Sequence, residues 1–209
     1  MASRRQVLSP SAAFTTLVVY SVRVRRVNGV APRLGASPRR PASAGRRSSG
    51  ILSRLPSYYR DPDAPTPNRP RKVGVCFIVE IDRGVLIDMR EDDGSLAFTG
   101  GTLEEDESVH EAVSRELFEE TGLRVRGMTL LGVFSDPSRI VAYRDGAVHR
   151  VLSIAFIVTP KPGTPPHPSE ESLELRIVSR AELRDLPFWP AHRPIRDAYL
   201  AFDGNVVVQ

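Results

Sequence analysis

Four glutamates crowd one short stretch of the chain, at positions 111, 116, 119 and 120, and two of them stand where a helix normally keeps an aliphatic side chain. Ser108 to Thr121 reads as a helix: Ser108 and Glu111 have capping-box spacing, and Gly122 suits a left-handed C-cap. At ~100° per residue, Val109, Ala112, Val113 and Leu117 define one core-facing stripe. Glu116 and Glu120 fall inside it, while Phe118 lies opposite. Like charges four residues apart repel, and acids near a helix C-terminus oppose the dipole. Carboxylates gathered against both preferences are expected where a hard divalent cation takes oxygen ligands. Arg115 lies within reach of Glu107, Glu111 or Glu119 and can hold a carboxylate in place. The competing reading is an ordinary solvated helix face with surface ion pairs, but that reading would put the acids opposite the Val109/Val113 stripe.

The elements around this helix follow from local pattern. Val73 to Ile81 is β-branched, and Asp82-Arg83-Gly84 turns it into Val85 to Met89, predicting a hairpin; Leu96 to Thr99 is a short third strand, which Gly100-Gly101 should end. Met128 to Ser135, Val148 to Thr159 and Leu173 to Val178 read as further strands, with a turn at 143–146 and a Pro-rich loop at 161–168. Ser179 to Glu182 opens a short helix and Pro194 to Phe202 forms a last one.

Charge divides the chain. Residues 1–60 contain twelve Arg and no Asp or Glu, leaving a net charge of about −8 for the remainder. The expected organisation is a disordered Arg/Ser/Pro-rich leader at 1–60, a Pro-rich linker or arm at 61–71, a folded domain at 72–203 and a tail at 204–209. The apolar stretch from Ala12 to Val22 is too short to span a bilayer, and Arg23, Arg25 and Arg26 stand where a signal-peptide cleavage site would lie. The leader composition also matches organelle transit peptides, although 27 Arg against 2 Lys overall points to coding bias. The expected location is therefore cytoplasmic, with organelle targeting the alternative. A single cysteine, Cys76, excludes an intramolecular disulfide and a Cys-rich metal site.

Gly101, Glu107, Arg115, Glu116, Leu117, Glu119, Glu120, Gly122 and Leu123 together match all nine positions of the motif that marks the MutT/Nudix hydrolases, so the chain resembles that family. The resemblance is specific over residues 101–123 and looser over 72–202. It implies an α/β fold, a Nudix-type α/β/α sandwich with a mixed sheet. It implies that Glu116, Glu119, Glu120 and the Gly101 carbonyl bind Mg²⁺ or Mn²⁺, with Glu107 and Arg115 bracing the helix. The implied reaction is hydrolysis of a nucleoside diphosphate linked to another group, by direct water attack. Glu171, or its neighbour Glu170, occupies a place comparable to that of the family's loop-borne base. Arg90, Arg139, Arg144 and Arg150 are candidates to clamp phosphate.

One departure from the family pattern is Thr99, where many members have proline. The substrate markers are also missing: position 139 is Arg rather than the proline that accompanies ADP-ribose hydrolysis, and Ile140 and Val141 stand where dinucleoside polyphosphate hydrolases carry tyrosine. Trp189 reads as core, with stacking on a base as the alternative. The expected partner is a small nucleotide diphosphate derivative, with a homodimer compatible and neither membrane nor nucleic acid expected. Two other functions fit the same residues: a nucleotide-sensing module without turnover, and an RNA-processing hydrolase guided by the basic leader.

Overall fold

The computed structural model describes residues 54–82, 84–90, 94–169 and 172–209. In chain order its strands are β1 (Arg54–Tyr58), β2 (Lys72–Ile81), β3 (Gly84–Arg90), β4 (Leu96–Ala97), β5 (Thr99–Thr102), β6 (Val125–Phe134), β7 (Ile140–Tyr143), β8 (Val148–Pro160), β9 (Ser172–Val178) and β10 (Val207–Val208). Helix α1 (Val109–Thr121) lies between β5 and β6, and α2 (Arg193–Ala201) precedes β10. Two short 3-10 turns, Glu182–Arg184 and Pro190–His192, lead into α2.

The sheet is mixed. At its centre β2 and β8 run parallel from Lys72↔Val151 to Val79↔Val158. β2 also pairs antiparallel with β3 and β5, β8 with β6 and β7, and β3 with β4 and β9. The alternation along β2 sorts its side chains onto two cores. Val75, Phe77 and Val79 pack with Ala112, Val113 and Leu117 of α1, whereas Cys76 and Ile78 pack with Leu183, Phe188, Ile195 and Tyr199 on the other face. The result is the α/β/α sandwich, helix α1 on one side and α2 on the other. Among the described residues no helix is long and apolar enough to cross a membrane.

Three expectations change. Residues 54–58, placed in the leader, form β1 on the edge of β7, and the buried Ser57 Oγ accepts from the Ala191 N–H at 3.0 Å. Ordered pairing therefore begins before residue 60; the leader expectation for residues 1–53 lies outside the described residues. The tail is not a free end either, since β10 pairs parallel with β6 and the Gln209 N–H donates to the Val133 carbonyl at 2.9 Å. The glycine pair, expected to end a strand, lies inside β5, with Cys76↔Gly100 and Val75↔Gly101 in register. The cause is close approach: a Cβ at Gly100 would fall 2.3 Å from the Val75 carbonyl oxygen. The Pro-rich arm at 61–71 is docked, with Asn68 exchanging side-chain bonds with the Gly146 carbonyl and the Val148 N–H, each at 2.9 Å.

Candidate metal and phosphate site

Helix α1 is framed as its termini dictate. The Ser108 N–H donates to Glu111 Oε2 at 2.9 Å and the Glu111 N–H returns to Ser108 Oγ at 3.3 Å, a reciprocal capping box. At the other end Gly122, at φ 71°, donates its N–H to the Phe118 carbonyl at 2.8 Å. A side chain there would be strained by the left-handed backbone and would also have to displace the His167 imidazole, which lies 2.0 Å from where a Cβ would stand. Ala112, Val113, Leu117 and Thr121 are buried and Phe118 is exposed beneath the Arg124 guanidinium, which sets the rotation of the helix.

That rotation turns Glu116 and Glu120 toward β5. Glu120 Oε2 accepts from the Gly100 N–H at 2.8 Å. Glu116 lies so close to the next residue that a Cβ at Gly101 would sit 1.8 Å from its Oε1. The space that a side chain would fill at Gly101 is therefore taken by a carboxylate. Glu119 is different, for its side chain is 58 % exposed and, among the described residues, is held by Arg115 at 3.2 Å. Among the described residues no three acidic or imidazole side chains close around one point. All the donors gathered here are oxygens, from Glu116, Glu119, Glu120 and the β5 backbone, and this donor chemistry fits a hard cation.

Arg115 ties the cluster together. Its Nε donates to Glu107 Oε2 at 2.9 Å and one amino group to Glu107 Oε1 at 2.5 Å; the other reaches Glu116 Oε1 at 2.8 Å, and the Thr102 carbonyl accepts a further bond at 3.2 Å. The Arg115 bonds, with a second from the Glu104 N–H, hold the Glu107 carboxyl below its ordinary range. The same bonds raise Arg115 above its ordinary value. A bidentate Arg–carboxylate fork of this kind fixes direction as well as charge.

A cavity opens from Gly100, Gly101 and Glu120 toward β7, β8 and the segment before α2. Its walls carry two cation–aromatic couples. The Arg90 guanidinium stands 4.6 Å from the centre of the Trp189 ring, and Lys72 Nζ stands 4.8 Å from that of Tyr143. Arg90 lines the cavity. Arg150 is exposed on β8 and does not line this cavity; it pairs with Ile140. Arg139 lines the same cavity, with its guanidinium committed to groups of the fold. It is fully buried, and its guanidinium donates to the carbonyls of Phe134 (2.5 Å) and Ala191 (3.0 Å) and to Ser153 Oγ (3.0 Å). Burial pulls its pKa down to about 10. Its donors are spent on joining β6, β8 and the turn before α2.

Lys72 at the cavity was not singled out from sequence, where it was legible only as one of two lysines in an Arg-rich chain. Trp189 is 5 % exposed, packs with Ala97, Val141 and Ala191, and lines the cavity. Thr99 fits its unusual place by donating its hydroxyl to the Phe77 carbonyl at 3.3 Å. Cys76 is buried mid-strand, and burial pushes its thiol up to about 12, so it is no nucleophile. Glu170 and Glu171 lie outside the described residues.

The NUDIX domain model matches residues 68–199, well over half of the chain and including the whole acidic helix. The chain belongs to the NUDIX family. Its NUDIX domain is 43 % identical over 89 residues to an ADP-ribose pyrophosphatase of Methanocaldococcus jannaschii, a match covering 41 % of this chain and about half (49 %) of that protein. A MutT-like protein of Streptomyces ambofaciens is 33 % identical over 135 residues, 61 % of this chain and 86 % of the relative. Among solved structures, a mutator MutT protein from Bacillus halodurans superposes with a TM-score of 0.52 at 25 % identity, covering 66 % of this chain and 86 % of that one.

Proposed function

We propose that the chain is a divalent-metal-dependent NUDIX pyrophosphohydrolase that cleaves a nucleoside diphosphate linked to a second group. The family and the names of its relatives, an ADP-ribose pyrophosphatase and a MutT-like protein, support a pyrophosphohydrolase. The observation that carries the reading is the meeting of Glu116 and Glu120 with the Gly100-Gly101 strand at the mouth of a cavity walled by Lys72 and Arg90.

Glu116, Glu119, Glu120 and the Gly101 carbonyl would hold Mg²⁺ or Mn²⁺. Bound there, the ion neutralises phosphate oxygens and lowers the pKa of water. The protein's own groups do the rest. Arg115 restrains Glu116 and Glu107 and so keeps the acids directed at β5. Lys72 and Arg90 supply positive charge along the cavity, where the screening of a diphosphate by water is reduced. Trp189 and Tyr143 offer flat apolar surface to a nucleoside. A carboxylate accepts the proton of the attacking water, and Glu171 is the first variant to make for that role.

The test is release of nucleoside monophosphate from a panel of ADP-ribose, nucleoside triphosphates, nucleotide sugars and dinucleoside polyphosphates, with Mg²⁺ or Mn²⁺. The expected result is metal-dependent turnover of at least one class, abolished by chelation. Binding without turnover across the whole panel would instead make the domain a sensor.

A further inference from the structure

The last turn of α1 is an unfavourable place for the two acids it carries. Glu119 and Glu120 stand at the negative end of the helix dipole, and no basic side chain occupies that turn. Helix ends also open first, because their last carbonyls lack partners within the helix. Opening here would take Glu120 away from the Gly100 N–H that directs it. What holds the turn from outside is the loop that follows β8. Five of the nine residues from Pro160 to Pro168 are proline, which makes this loop stiff. Two bonds tie it to the turn between α1 and β6. The Lys161 N–H donates to the Arg124 carbonyl at 2.7 Å, and the His167 N–H donates to the Thr121 carbonyl at 3.0 Å. The His167 imidazole adds a contact of its own, since its Nε2 fills the space beside Gly122 that a Cβ would need. Gly122 is buried, whereas His167 itself is exposed.

We propose, on the reading of these acids as cation ligands, that His167 is their positioning residue: it pins the C-terminal turn of α1 and so raises the affinity of Glu119 and Glu120 for a divalent cation. His167 is no ligand in this role. Its N–H and ring act on Thr121 and Gly122, one and two residues beyond Glu120, and the effect passes through the helix backbone. Thr121 is fully buried and its hydroxyl donates to the Leu117 carbonyl at 2.5 Å, so a restraint on Thr121 reaches the turn that carries both acids. Pro166 and Pro168 flank His167, and the following proline biases its backbone to an extended form, which keeps the N–H and ring presented together.

Mn²⁺ is the probe, titrated into the full chain while electron paramagnetic resonance counts the free ion, and the site is the Mn²⁺ binding that Glu120→Gln weakens. Groups that orient metal ligands set affinity by about 10–100-fold, and His167 acts one step further out. His167→Gly, which removes the ring and loosens the backbone, should therefore weaken the site about fivefold or more. His167→Phe keeps a flat ring and the N–H and should stay within about twofold of wild type. Thr164→Gly, at an exposed position of the same loop, should match wild type, and melting temperatures should move little in all three. Without metal, hydrogen exchange over residues 117–123 should be faster in His167→Gly than in wild type. A His167→Gly chain that binds Mn²⁺ as tightly as wild type overturns the proposal. So does a weakened site without faster exchange, or an equal loss in Thr164→Gly. A wild type with no Mn²⁺ binding that depends on Glu120 overturns the cation reading, and the proposal with it.

Discussion

Two oxygens decide how the acidic helix meets its strand. Glu120 Oε2 is fixed by the Gly100 N–H, and a neutral amide can take the same bond, so Glu120→Gln should keep the fold while lowering turnover by ~10²–10⁴-fold. Steady-state hydrolysis beside thermal melting checks both halves. Gly101→Ala acts from the other partner. Its methyl would land on the Glu116 carboxylate, displacing β5 or the acid, and activity should fall far more than stability. The Glu107–Arg115 fork sets a pH response. Arg115 holds the Glu107 carboxyl below its ordinary value of 4.5, so the pair stabilises the fold above that value and loses this contribution only as pH falls through the lowered one. Melting temperatures of wild type and Glu107→Gln should therefore differ steadily from neutral pH down to about 4.5 and converge below it. The helix's own residues were legible from sequence because 3.6-residue periodicity, cap and charge all agree there. Arg139 was not, since an arginine that spends its fork on two carbonyls and a hydroxyl is defined by groups 5, 14 and 52 residues distant.

At the scale of elements, Arg139 acts as a peg joining β6, β8 and the turn before α2. Arg139→Met removes every one of its donors and leaves buried acceptors unpaired, a loss of about 2–4 kcal/mol. Chemical denaturation measures it, and the midpoint should move without a change in slope. The catalytic helix and the Pro-rich loop are likewise coupled: the His167 N–H donates to the Thr121 carbonyl at 3.0 Å, and its ring covers Gly122. The long strands β2, β6 and β8 were readable because alternation and β-branching persist over many residues. Short β1, β7 and β10 carry too few residues for any period to emerge, and β5 was masked by the two glycines that permit its close pairing. Local pattern ranks glycine as a breaker; only the neighbouring strand reveals it as a spacer.

For the whole molecule, the folded boundary lies nearer the N-terminus than composition implied. β1 covers the β7 edge, and Ser57 bonds the Ala191 N–H. A chain beginning at residue 60 should melt several degrees below one beginning at residue 52, a shift of about 2–6 °C for a loss near 1 kcal/mol. The α/β/α layering was legible because strand and helix patterns alternate in order. The docking of β1 on β7 and of β10 on β6 was not, since it depends on partners far away in sequence.

The parallel pairing of β2 with β8 joins segments about 80 residues apart, and β5, α1 and β6 all lie within the loop that it closes. Such non-local parallel pairing is intrinsically slow to form. The acids of α1 acquire their fixed direction only once β5 is docked on β2, so the capacity to hold a cation is completed late in refolding. Recovery of turnover after dilution from denaturant should lag the early return of helical signal and coincide with closure of the central sheet.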